Sequence, residues 1–279
     1  MRIVISVDME GIGGIVDRVQ LMPGERLYQE SRAYMVAEMK AVVRAVWAHG
    51  ATEVLVNDSH DGMLNLAWSE LEDLPRGTTL ISGTGKRLSM GQGFPGSAAA
   101  MFVGYHARAG TAPAVMDHTY SGDIHHLALN GQEVGETGLN AYLAGFYGVP
   151  VALVTGDQAL VAEARALLPD VEAVTTKQAL GRRSALLPSP ADLADQLDAA
   201  AGRAMDRLAA GRGPAPLSLA GPVDLEVGFM TTQAADTACL MPGTRRVDGR
   251  TVAATLPSAE AAFFAFRALT VLGGGTPLY

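Results

Sequence analysis

The stretch Arg2-Ile-Val-Ile-Ser-Val-Asp-Met-Glu10 decides how the rest of the chain reads. Its apolar, β-branched run from Ile3 to Val7 has the pattern of a strand buried on both faces of a parallel sheet. Two carboxylates, Asp8 and Glu10, follow where that strand should end. Downstream, Met35, Met39, Val42, Val43, Val46 and Trp47 recur at helical spacing within residues 26–49, and Gly50 is placed to stop the helix. Glu53-Val-Leu-Val-Asn57 is again short and apolar. These pieces predict a β-α-β unit with a right-handed crossover.

Residues 79–82 and 99–105 read as further strands of the same sheet. Asn130-Gly131 between two short apolar runs predicts a two-residue hairpin. Residues 138–146 and 158–168 read as helices on either side of a buried strand at 149–155. Between Pro188 and Pro216 the composition turns to Ala, Asp and Arg, with Leu193, Leu197, Met205 and Leu208 on one helical stripe and Ser189-Pro190 as its cap and first position. The segment from Gly211 to Pro216 reads as a linker. Beyond it, Val223, Leu225, Val227 and Phe229 alternate with Asp224, Glu226 and Gly228, as in a strand with one wet face. Asp248-Gly249 marks a turn, and Ser258 caps a helix carrying Phe263, Phe266 and Leu269. The expected fold is α/β: a parallel-sheet, Rossmann-like three-layer N-terminal domain over residues 1–187, with a smaller α+β unit over residues 188–279 packed against it.

Composition narrows the function. A hydrophobic content of 48% supplies a core large enough for an enzyme. With 29 acidic against 21 basic residues and a net charge of −8, the chain lacks the Lys/Arg footprint that binding nucleic acid requires. Cys239 is the only cysteine, which excludes an intrachain disulfide and cysteine-rich metal sites. Any metal must use histidines and carboxylates. No run approaches the ~20 apolar residues of a membrane span, and the first apolar run meets Asp8 too soon for a signal peptide. The expected location is the cytoplasm.

In open parallel sheets, ligands bind beyond the carboxyl ends of the strands. There the sequence sets Asp8 and Glu10, then His60 in Asn57-Asp-Ser-His60, then His106 in Gly104-Tyr-His106. Asp8 and Glu10 are two apart, so extended backbone would turn both to one side, and converging carboxylates call for a cation. Two imidazoles suit zinc better than magnesium or calcium. Glu136, after the hairpin, adds a third carboxylate, and two His with three acids suffice for two metals if Asp8 bridges. A two-metal site of this kind can activate water and polarise a carbonyl. Each residue has a plain structural alternative: strand-end carboxylates, a turn histidine, a packed histidine, a helix-start glutamate. Those alternatives would have to coincide at three separate strands. His118 fits an acid/base group or an oxyanion donor, and equally a surface histidine; His125 and His126 are weaker candidates. Gly11-Ile-Gly-Gly14 is no dinucleotide fingerprint, Gly83-Thr-Gly-Lys-Arg87 no phosphate loop, and no G-x-S-x-G elbow is present.

Five ordered motifs, Ser6-Val-Asp-Met-Glu-Gly11, Val56-Asn-Asp-Ser-His60, Gly104-Tyr-His-Ala-Arg108, Val134-Gly-Glu136 with Gly138-Leu-Asn-Ala141, and Leu240-Met-Pro-Gly-Thr244, resemble the zinc D-aminopeptidases linked to dipeptide transport, often called DppA. The resemblance covers nearly the whole chain. It implies two zinc ions per subunit bridged by Asp8, with Glu10 and His60 completing one site and His106 and Glu136 the other. It implies His118 as the catalytic histidine, although Asp117 stands where the family pattern has a small hydroxyl residue. It also implies a homo-oligomer, a ring-shaped decamer, and hydrolysis of N-terminal D-residues from short peptides such as D-Ala-D-Ala. The rival expectations are a two-metal hydrolase of another small amide or ester, and a non-catalytic peptide-binding protein.

Overall fold

In the computed structural model, which describes residues 1–274, the opening run forms Arg2–Val7 (β1), followed by Tyr28–Ala48 (α1), Glu53–Asp58 (β2), Thr78–Ile81 (β3) and Ala99–Val103 (β4). Next come the hairpin strands Ile124–Leu129 (β5) and Gln132–Glu133 (β6), Glu136–Phe146 (α2), Val151–Asp157 (β7), Gln158–Leu167 (α3), Glu172–Gly181 (β8) and Ser184–Leu186 (β9). The chain continues through Pro190–Ala209 (α4), Val223–Phe229 (β10), Thr232–Ala238 (α5), Thr244–Arg246 (β11), Thr251–Leu256 (β12) and Ala259–Gly274 (α6).

Seven strands form one sheet in the order β3-β2-β1-β4-β7-β8-β9, parallel except for the β8–β9 pair. Strand order runs one way from β1 through β2 to β3 and the other way through β4, so the ends of β1, β2 and β4 surround a topological switch point. Both faces are covered, as the unbroken apolar runs predicted. Ile3, Ile5 and Val7 pack with Met35, Met39 and Val42 of α1 and Leu193 and Leu197 of α4. Val4 and Phe102 face the other way, against Leu139 and Leu143 of α2.

The second sheet, β11-β12-β10-β5-β6, is antiparallel. Its membership crosses the sequence division at 187/188: β5 pairs with β10 and carries β6 on its other edge, while α4 packs on α1 in the first layer system. Leu127 and Leu129 of β5, Leu225 and Val227 of β10 and Phe266 of α6 share one continuous core with α2 and the first sheet. Local signals act as expected. Asn130 and Gly131 take φ of 51° and 76° in the hairpin turn. Ser189 accepts from the Asp192 N–H to start α4, and Ser258 accepts from the Ala261 N–H at the start of α6. Among the described residues, no helix is long and apolar enough to cross a membrane.

Candidate metal centre

Backbone hydrogen bonds that continue past the strands bring the site together. The Ser59 N–H donates to the Val7 carbonyl, the Asp8 N–H to Val103, and the Tyr105 N–H to Thr155, so the ends of β1, β2, β4 and β7 stay laced beyond their last ladder residues. That lacing needs small residues at the crossings. A Cβ on Gly11 would come within 1.8 Å of the Tyr105 carbonyl oxygen, and one on Gly104 within 2.4 Å of the Asp8 carbonyl. Gly11 therefore serves close approach of two segments of the chain, whereas the left-handed backbone falls at Gly14, where φ is +82°.

Asp8 and Glu10 do converge, though not by strand alternation. β1 stops at Val7, and Met9 to Ile12 form a turn closed by the Ile12 N–H donating to the Met9 carbonyl. His60 Nδ1 lies 3.0 Å from Glu10 Oε2 and 3.4 Å from Asp8 Oδ1. Asp8 then turns its other oxygen to the far half: Oδ2 is 3.6 Å from His106 Nε2, which lies 3.0 Å from Glu136 Oε1. Glu136 opens α2 two residues before the expected helix start, and its Oε1 accepts from the Tyr120 N–H at 2.7 Å. His118 joins the two halves, with Nε2 at 3.8 Å from both Glu10 Oε1 and Glu136 Oε1. Its ring stacks on His106 at 3.9 Å and 10°. All six predicted site residues thus meet, and the five assigned to metal are buried while the His118 side chain is 23% exposed. His125 and His126 lie apart on β5, where His126 faces Glu133.

The donor set fits divalent metal. Each imidazole ties one nitrogen to a backbone carbonyl and turns the other to the carboxylates: His60 Nε2 to Leu21 at 3.3 Å, His106 Nδ1 to Ala107 at 3.1 Å, His118 Nδ1 to Met116 at 2.8 Å. This is how metal-bound histidines have their tautomer fixed. Asp8 Oδ2 and His106 Nε2 are buried without a hydrogen-bond partner, although they face each other and Glu136 at close range. Native interiors rarely leave such atoms unsatisfied. Two groups of donors, Asp8/Glu10/His60 and His106/His118/Glu136, each lie within ligating reach of a common point.

Without a cation the charges distribute unevenly. Burial, then the Glu10 charge, push Asp8 up to about 8 against the pull of His60 and His106. Burial also opposes ionisation of Glu10, but the facing His60 overrides it and holds Glu10 well below the usual carboxylate range. Burial likewise disfavours a charged His106, yet Glu136 and Asp8 outweigh it and push His106 up to about 10. His60 is raised in the same way, chiefly by Glu10. His118 moves down, by burial and by the neighbouring His106. The protons held on His60 and His106 occupy the places that metal would take.

The site opens on a cavity of about 180 Å³ whose other walls include Met22, Met63, Met90 and Tyr120. A larger cavity of about 320 Å³ between α1 and α4 is mostly apolar and contains none of the six residues; the smaller one is the site because the titratable groups converge there. Sequence reading missed the groups that hold the ligands in place. Asp58 accepts from the Leu66 N–H and Asn65 Nδ2, and Asn65 also donates to the His60 carbonyl. Ser6 joins Ser59, Tyr105 and the Met90 carbonyl in a buried network under the site. Asp117 accepts from the Gly110 N–H and from Arg182 Nε, fixing the loop that carries His118. A polar residue inside an apolar run, as at Ser6, was the one available signal.

Comparison with known proteins agrees with this geometry. The family model for M55 peptidases, described as D-aminopeptidase, matches residues 1–268. A D-aminopeptidase of Bacillus subtilis (strain 168) is 39% identical over 255 residues, covering 90% of this chain and 89% of its own length. The solved structure of the Zn-dependent D-aminopeptidase DppA from Bacillus subtilis, described as a self-compartmentalizing protease, superposes with a TM-score of 0.94 at 37% identity and full coverage of both chains.

The chain therefore belongs to the M55 D-aminopeptidase family.

Proposed function

We propose that this chain is a binuclear zinc aminopeptidase that removes N-terminal D-residues from short peptides such as D-Ala-D-Ala, with Asp8, Glu10, His60, His106 and Glu136 as metal ligands and His118 as the catalytic histidine. Membership of a D-aminopeptidase family and likeness to a zinc-dependent relative support metallo-aminopeptidase hydrolysis. The single observation that carries the metal assignment is the arrangement of the imidazoles, each tethered to a carbonyl on one side and facing buried carboxylates on the other. Asp8 would be the residue shared between the two metals, since its two oxygens address the two halves separately.

Zinc held there would supply Lewis acidity toward the scissile carbonyl and a water acidified toward neutral pH. The chain's own contribution is placement and proton handling. His118 is the least buried of the six and neutral in tendency, so it can take a proton or donate one to a group in the cavity. Its tether to Met116 fixes which nitrogen faces inward. A cavity this small, walled by adaptable methionines, suits a substrate with a short N-terminal side chain.

The chain works as a homo-oligomer in this reading, a decamer, and in the cytoplasm. The relative's description as self-compartmentalizing supports assembly, and Trp68 and Leu64, both strongly exposed, are apolar surface that a second copy can cover. The deciding experiment measures metal content per chain together with hydrolysis of D-Ala-D-Ala and its L counterpart. Two zinc ions with D-selective, chelator-sensitive turnover is the expected result. Robust ester or lactam turnover without peptide cleavage would favour the other amidohydrolase reading, and metal-free peptide binding without turnover a binding protein.

A further inference from the structure

One buried cation has no place in the mechanism above. Lys177 on β8 is fully buried, and its ammonium donates to three backbone carbonyls, those of Glu10 at 2.6 Å, Ile12 at 2.7 Å and Ile15. Its three donors are thereby used, and among the described residues no carboxylate forms an ion pair with it. Burying an ammonium is unfavourable unless the partners compensate. Here all three partners lie on one loop, the one that carries Glu10.

A second observation concerns the strand itself. Gly156 pairs with Thr175 and Asp157 with Lys177, so β8 has one extra residue, Thr176, opposite β7. Bulges of this kind re-aim side chains, and they recur beside active sites. Without it, Thr176 and Lys177 would point to opposite faces. With it, both reach the same loop: Thr176 Oγ1 donates to the Gly11 carbonyl at 2.5 Å. The loop's remaining side is held by Glu38 of α1, which accepts from the Gly13 N–H at 2.6 Å.

We propose that the Thr176–Lys177 bulge of β8 is a positioning device for the metal ligand Glu10, gathering the carbonyls of residues 10–15 so that the Glu10 carboxylate is presented to His60 and to one of the two metals. The proposal rests on the metal reading above. It separates the halves of the site, because neither residue hydrogen-bonds to the segments carrying His106, His118 or Glu136.

The test is cobalt(II) titration of the metal-depleted full chain, read by calorimetry and by the cobalt d–d absorption of each binding event, in wild type, Lys177→Met and Thr176→Val. In Lys177→Met, one binding event weakens by about tenfold or more while the other keeps its affinity and spectrum. Thr176→Val weakens the same event by a smaller factor and decides the matter should Lys177→Met fail to fold. Equal affinities in a folded Lys177→Met, equal weakening of both events, or an unchanged Thr176→Val beside an unfolded Lys177→Met overturns the proposal. A wild type that binds no cobalt would instead overturn the metal reading on which it rests.

Discussion

Asp8, Glu10 and His60 come from two neighbouring strand ends, those of β1 and β2, whereas His106, His118 and Glu136 come from the end of β4, a loop, and the first turn of α2. The first half is buried throughout, as are His106 and Glu136 of the second, and the backbone of the first half is fixed by sheet lacing and by Lys177. The second half contains the least buried group, His118, on a loop secured through Asp117 and Arg182. Asp8 and His118 are the links between the halves. Both halves line the cavity, and in the proposed reading each would hold one metal, while His118, the most exposed of the six, would handle protons.

Removing one ligand from each half breaks the comparison most severely. His60→Ala and His106→Ala are each expected to lose one metal and about a thousandfold or more in kcat/KM, since a metal contributes several kcal/mol to such a transition state. Metal analysis of the purified variants checks this, and full retention of both ions in either variant would remove that residue from the ligand set.

His118→Ala sharpens the contrast. It should keep both metals and lose about a hundredfold in kcat. Loss of an ion would instead make His118 a third ligand of the His106/Glu136 half, a role its geometry also permits.

The halves should also respond together to pH when metal is absent. His106 has a folded pKa near 10, above its value in the unfolded chain, so its contribution to stability is complete below about pH 6.5 and fades as pH rises toward 10. Asp8, raised to about 8, acts in the same direction: the fold favours its neutral form, and rising pH between about 4 and 8 works against the folded state. Glu10 and Glu136 are depressed, so their contributions persist above the ordinary carboxylate range. Calorimetric Tm of the chelated protein should therefore fall from about pH 6 to about pH 9, and zinc should raise Tm more at the alkaline end, where it has fewer protons to displace. An equal zinc effect at both pH values contradicts the charge distribution described here.

The smallest effect lies outside both halves. Ser189→Ala removes the hydroxyl that caps α4 and should lower stability by about 1 kcal/mol, roughly 2–4 °C in Tm, with both metal affinities unchanged.

Legibility differed across the molecule for the same kind of reason. β1, α1 and β2 were readable because burial on both faces leaves unbroken apolar runs and helical spacing. β8 was not: Thr175, Thr176 and Lys177 interrupt any apolar pattern, and a lysine whose charge is satisfied by carbonyls from residues 10–15 looks in sequence like a surface residue. The division at 187/188 followed a change in composition, but strand pairing between β5 and β10 is a contact across about a hundred residues that no local signal encodes.

Sequence alone determined the parallel β-α-β frame and the ligand types, because periodicity and side-chain chemistry are local properties and strand ends in such a frame point to one edge. Only the tertiary structure decided that Glu136 and His118 reach the same cavity as Asp8 and His60, that Asp8 turns an oxygen to each half, and that a bulge turns Lys177 beneath the loop. Those are matters of a few ångströms between distant segments, set by packing and hydrogen bonding across the whole core.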